Sequence, residues 1–156
     1  MRLICASVAM ACAATAVWAE TFDVSGTAYA ASSTVVVPIS DGFFALDSGG
    51  LYDRFESDNP DNILIGASGP CFGAATVNMG RAEGGGVCTW TDPDNEVVVM
   101  HYQGESVTAE GVFEGTWRTV GGTGKWDGAT GSGRFASSAD GEGRSKNVIT
   151  GEVDLP

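Results

Sequence analysis

The chain has 156 residues and a formal net charge of −12, with 20 acidic residues against 8 basic ones and a single histidine. A surface this acidic repels nucleic acid and anionic membrane and argues against both as partners. One histidine cannot build a Cys2His2 zinc site, no CxxC motif occurs, and nothing in the composition asks for a metal or a cofactor.

Residues 1–19 read as a secretory signal peptide. Arg2 supplies the basic end, a short apolar run follows, and Val17-Trp18-Ala19 before Glu20 places compact residues at the −3 and −1 positions of a cleavage site. The run falls short of a membrane span, which needs about 20 strongly apolar residues. Taking Cys12 as a lipidated residue instead lacks the usual upstream Leu and leaves residues 13–19 as an oddly apolar tether. The expectation is a periplasmic or secreted mature chain, 20–156, folded as one domain. Loss of Arg2 with the leader takes its charge to −13. Of the four cysteines it keeps Cys71 and Cys88, and an even pair in an exported chain reads as one structural disulfide.

In the mature part, Phe22 and Val24 alternate with polar residues, and Ser33-Thr34-Val35-Val36-Val37 continues in strand chemistry until Pro38, which restricts that strand to an edge or an end. Asp41-Gly42 punctuates before Phe43-Phe44-Ala45-Leu46. Gly49-Gly50 punctuates again before residues 51–55, where alternation puts Leu51, Asp53 and Phe55 on one face. Residues 57–70 are turn-rich around a buried Ile63-Leu64-Ile65. A strand over 74–79 leads through Gly84-Gly85-Gly86 to another over 87–91, and the turn Asp92-Pro93-Asp94-Asn95 returns into 96–102. Residues 112–119 alternate with Phe113, Gly115 and Trp117 together. Residues 134–136 form a short strand, residues 137–146 a polar segment, and 148–153 a last strand with Ile149, Gly151 and Val153 facing one way. No sustained helical period occurs. Many short strands with glycine-rich turns predict an all-β fold, a sandwich or a barrel; Gly115 and Gly151 inside strands fit the bends of a closed barrel.

Candidate chemistry is sparse. The run Gly121-Gly122-Thr123-Gly124-Lys125 looks like a phosphate loop, but the Walker pattern needs glycine where Thr119 stands and a hydroxyl where Trp126 stands. Asp92, Asp94, Asn95 and Glu96 carry oxygens that calcium could use. Pro93, the missing EF-hand glycine and the flanking strands favour a solvated hairpin turn. His101 must serve in any histidine acid–base step. Glu114 and Arg118 share a strand face, where an exposed ion pair is the simpler reading. The candidates for catalysis are therefore Glu114, Arg118 and His101, without a recognisable constellation. Trp90, Tyr102, Phe113 and Trp117 are the candidates for ligand contact, against the alternative that aromatics simply fill the barrel.

The stretch from Gly121 to Gly131, with Lys125-Trp126 at its centre, resembles a motif of the allene oxide cyclase-like and dirigent-like barrel superfamily. Cys88-Thr89-Trp90-Thr91-Asp92 resembles its small exported bacterial members. The resemblance implies a closed antiparallel barrel of eight strands, with the glycine stretch a tight late connection. It carries no catalytic residue onto this chain. Trp126 is expected to cap a barrel end.

The resulting expectation is an exported, non-enzymatic barrel that binds a small apolar ligand or serves a structural role. The alternative is an isomerase or cyclase in which Glu114, Arg118 or His101 steers a hydrophobic intermediate. It requires a cavity of roughly 300 Å³ or more with at least one of those residues pointing in.

Overall fold

A computed structural model of the chain describes residues 19–141 and 144–156. Apart from Ala19, the signal-peptide expectation lies outside the described residues.

Period-two alternation becomes strand almost throughout. The strands are β1 (Glu20–Asp23), β2 (Gly26–Ser40), β3 (Phe43–Glu56), β4 (Gly69–Asn78), β5 (Arg81–Thr91), β6 (Val97–Val107), β7 (Phe113–Gly122), β8 (Thr130–Ala139) and β9 (Ser145–Leu155). A single 3-10 turn, Gly124–Trp126, separates β7 from β8. Each strand from β2 to β9 pairs antiparallel with the next, and β9 returns to pair with β2, so eight strands close a barrel. β1 is an extra strand along β9, from Glu20↔Leu155 to Asp23↔Glu152. It continues the line of β2 after a break where Asp23 Oδ1 accepts the Ser25 amide at 2.9 Å.

Alternation decides what faces inward. On β6, Val98 and Met100 are buried while His101 is exposed; on β7, Gly115, Trp117 and Thr119 are buried while Arg118 is exposed. Each large apolar side chain so withdrawn from water contributes about 1.5–3 kcal/mol. Gly115 and Gly151 are inward glycines, as a curled sheet requires. At Gly151 the backbone has φ +140°, and an added Cβ would fall 2.3 Å from Ser132 O and 2.9 Å from Trp117 Cζ2. Side chain is excluded there on both counts.

Cys71 and Cys88 stand directly opposite each other on β4 and β5 and form the expected disulfide, with their Cα atoms 4.0 Å apart.

Several boundaries differ from expectation. Gly84-Gly85-Gly86 lies within β5 and Gly49-Gly50 within β3; the turn into β5 is at Met79-Gly80. The polar segment 137–146 is a continuation of β8 and the start of β9 around a short connection. On β3, Leu51 and Asp53 are exposed while Tyr52 and Phe55 are buried. A register shift against Tyr29/Ala30 leaves Asp53 without an opposing residue, which resets the parity. In the 57–68 connection only Leu64 of the apolar trio is fully buried; Ile65 is exposed.

Candidate functional site

The two ends of the barrel are built differently. One is closed by the β5–β6 hairpin, the β7–β8 connection and the long β3–β4 loop. Trp126, at the end of the 3-10 turn, is wholly buried, and its indole Nε1 donates to Asp92 Oδ2 at 2.9 Å. The residue beside it, Lys125, reaches Asp92 at 2.6 Å and Asp94 at 3.0 Å, and its backbone amide donates to Glu96 Oε2 at 3.0 Å. The other oxygen of Asp92 accepts the amides of Asp94 and Glu96 at 2.9 and 3.0 Å. The acidic hairpin is therefore clasped by the glycine stretch through Lys125, and Trp126 caps this end. Burial works against the Asp92 carboxylate, but the Lys125, Trp126 and Glu96 bonds outweigh it and hold its pKa below the ordinary value. Beneath the cap, Trp90 packs on Tyr52 and Phe55 with ring centroids 5.3 and 6.3 Å away.

Above this floor is a cavity of about 490 Å³. Its aromatic wall runs from Tyr102 to Phe135 to Phe113, with centroid separations of 5.7 and 5.5 Å. Trp117, Met100 and Ile149 add apolar surface. The hydroxyl end of Tyr102 lies against the glycines of the β4–β5 pair: Cβ atoms at Gly73 and Gly86 would fall 2.3 and 2.5 Å from its hydroxyl. That is a reason for glycine inside a strand. A polar group interrupts the apolar wall. Burial raises the pKa of both Tyr52 and Tyr102, and hydrogen bonds oppose it without reversing it, from Asn147 and Ser137 at Tyr52 and from Ser48 at Tyr102. Both phenols are thus neutral near pH 7. Among the described residues that line the cavity only Arg144 is charged, and Asp53 engages it with a bidentate contact. Among the described residues the site is therefore a mainly apolar pocket with a few hydroxyl and amide groups and one ion-paired arginine. Among the described residues, no group of three or more His, Cys, Asp or Glu side chains could hold a metal ion.

Neither a family model nor a curated protein matches the chain. Among solved structures it is similar to the pterocarpan synthase dirigent protein GePTS1, with a TM-score of 0.51 and 14% identity over 96% of this chain and 99% of that one. The fold is dirigent-like. At that identity the likeness extends to architecture and not to activity.

Within this dirigent-like barrel, Tyr102, Phe113 and Trp117 line the cavity. Trp90 belongs to the floor below it, where its side chain is shielded by Tyr52 and Phe55. His101, Glu114 and Arg118 do not line the cavity, because all three occupy the outward parity of β6 and β7. His101 Nδ1 and Arg118 Nη2 lie 3.2 Å apart across the outer surface, and Glu114 accepts a bond from Ser106 at 3.2 Å. Tyr52, Ser48, Ser137 and Asn147 are cavity residues that sequence reasoning passes over. Tyr52 is concealed by the register shift, and small polar residues on a strand carry no mark of the face they occupy.

Proposed function

We propose that this is an exported, non-enzymatic barrel protein that binds one small, uncharged, mainly apolar ligand in its cavity. The observation that carries the reading is an aromatic-walled space of about 490 Å³ in which Arg144, the one charged residue among the described lining residues, is engaged by Asp53. Cavities of this size and lining suit drug-sized apolar molecules. Tyr102, Phe113 and Trp117 would contact the ligand, and the Tyr52, Ser48, Ser137 and Asn147 groups would orient it. Export is supported by the Cys71–Cys88 bond, which persists in an oxidising compartment. An isomerase or cyclase reading loses the residues proposed for it, because Glu114, Arg118 and His101 have no access to the cavity.

Titration with Nile red, a neutral apolar dye, tests the reading. Saturable one-to-one binding with a blue-shifted emission is expected, with at least tenfold weaker binding in Phe113→Asp. Absence of saturable binding by the folded protein would overturn it. Export is checked separately by N-terminal sequencing, which should find Glu20 first.

A further inference from the structure

Closure of a barrel removes sheet edges, yet one long edge survives here. β3 accompanies β2 to Ser40, whereas β9 accompanies it only as far as Ala30↔Ser145, with a further side-chain contact between Ser145 and Ser32. Among the described residues nothing pairs with the other side of β2 over 33–40. The segment continues β2 beyond its last pair with β9. Val35, Val36, Val37 and Ile39 are 59, 55, 53 and 55% exposed. Up to Pro38, which cannot donate and bounds it, such a β-branched, apolar edge is a template for another strand, and none of the usual charges blunts it.

We propose that β2 of a second copy of this chain pairs antiparallel with this edge across a two-fold axis. Charge selects the place. The molecule carries a net charge of −12, so copies repel wherever their acidic surfaces meet, but no charged residue occurs between Asp23 and Asp41. Asp41 lies in the turn at the far end of the seam, and Asp47 lies one strand behind it on β3, opposite Val35. An identical strand is self-complementary in the antiparallel sense, and a two-fold contact uses the same patch on both copies. Pairing also stops at two. Among the described residues β1 is the strand with a single neighbour, and it is short and carries Glu20 and Asp23, so it offers no second apolar edge to extend the assembly.

The contact has a consequence for the cavity. Ser32 and Thr34 line it from β2, at the level where β9 has already ended. The partner's strand would take the place that β9 vacates and lengthen the wall at the mouth.

Sedimentation velocity of the purified protein over 1–200 µM, with hydrogen exchange of the amides in 33–37 followed over the same range, tests this. A dimer is expected, with those amides protected at least tenfold more at high concentration. The double variant Val35→Lys/Val37→Lys should remain monomeric with an unchanged circular dichroism spectrum. A wild-type monomer throughout the range overturns the proposal. So does a dimer whose 33–37 amides exchange at the monomer's rate, since its interface then lies elsewhere, and so does open-ended aggregation. The exchange measurement needs no variant, so misfolding of the lysine variant leaves the test intact.

Discussion

Asp92 and Trp126 make one unit, and each explains the other's burial. A buried carboxylate costs several kcal/mol unless it is paired and hydrogen-bonded. Asp92 meets that condition by accepting from two backbone amides, the Trp126 indole and Lys125. Trp126→Ala removes a large buried ring and one of those bonds together, so a loss of about 3–5 kcal/mol in urea unfolding is expected. Trp126→Phe separates the two effects: the ring largely remains, and loss of one bond to a buried carboxylate that keeps Lys125 should cost about 1–3 kcal/mol. The pH dependence follows from the direction of the Asp92 shift. Its folded-state pKa is lowered, so its contribution is complete above the unfolded carboxylate value of about 3.9 and is lost as pH falls through the depressed folded value. Wild type should therefore lose its stability advantage over Asp92→Asn on acidification below about pH 4. Urea midpoints at pH 7 and pH 3 measure it, and an unchanged gap would refute the assignment. Lys125 shifts upward, chiefly through its bond to Asp92. Its contribution is present below about 10.4 and is lost as pH rises through the raised folded value.

At the scale of elements, the strands follow from alternation, and the places where sequence reading fails have identifiable causes. Glycine runs look like turns because glycine is costly in a strand. In β5 the Gly86 position is occupied by the Tyr102 ring, which arrives from the neighbouring strand and has no counterpart in local sequence. The inward face of Tyr52 is hidden for a similar reason, since one unpaired residue in β3 flips the parity that alternation assumes. The disulfide was legible because assigning Cys5 and Cys12 to the expected leader leaves one pair of cysteines. It joins residues 17 apart that also oppose each other in the β4–β5 ladder. On the chain-entropy account its removal should cost about 3 kcal/mol. Thermal melting of Cys71→Ser/Cys88→Ser against wild type measures this, and a change near zero would mean that ladder pairing alone fixes the two strands.

At the scale of the molecule, the eight-strand closure could be expected from the resemblance that the glycine stretch carries, but whether the interior is full could not. Filling depends on the sum of inward side-chain volumes around the barrel. That sum changes with every shift of parity and with each glycine that turns inward. Here the lower half is packed by Trp90, Trp126, Phe55 and Leu64, whereas small residues at Ser48, Gly50 and Ala75 leave space above them. Space that evolution left for a ligand and space left by imperfect packing respond oppositely to being filled. Ala75→Phe places a ring into the cavity from β4 without opposing the floor. If the cavity is a binding site, Nile red binding should weaken by tenfold or more, with stability unchanged or raised by up to about 1–2 kcal/mol as new apolar surface is buried. Dye binding that survives the substitution at full affinity would locate the dye outside the barrel. Unfolding by about 1–3 kcal/mol would mean that the space is too tightly enclosed to accept an added side chain. Measuring affinity and the urea midpoint on the same variant tells these outcomes apart.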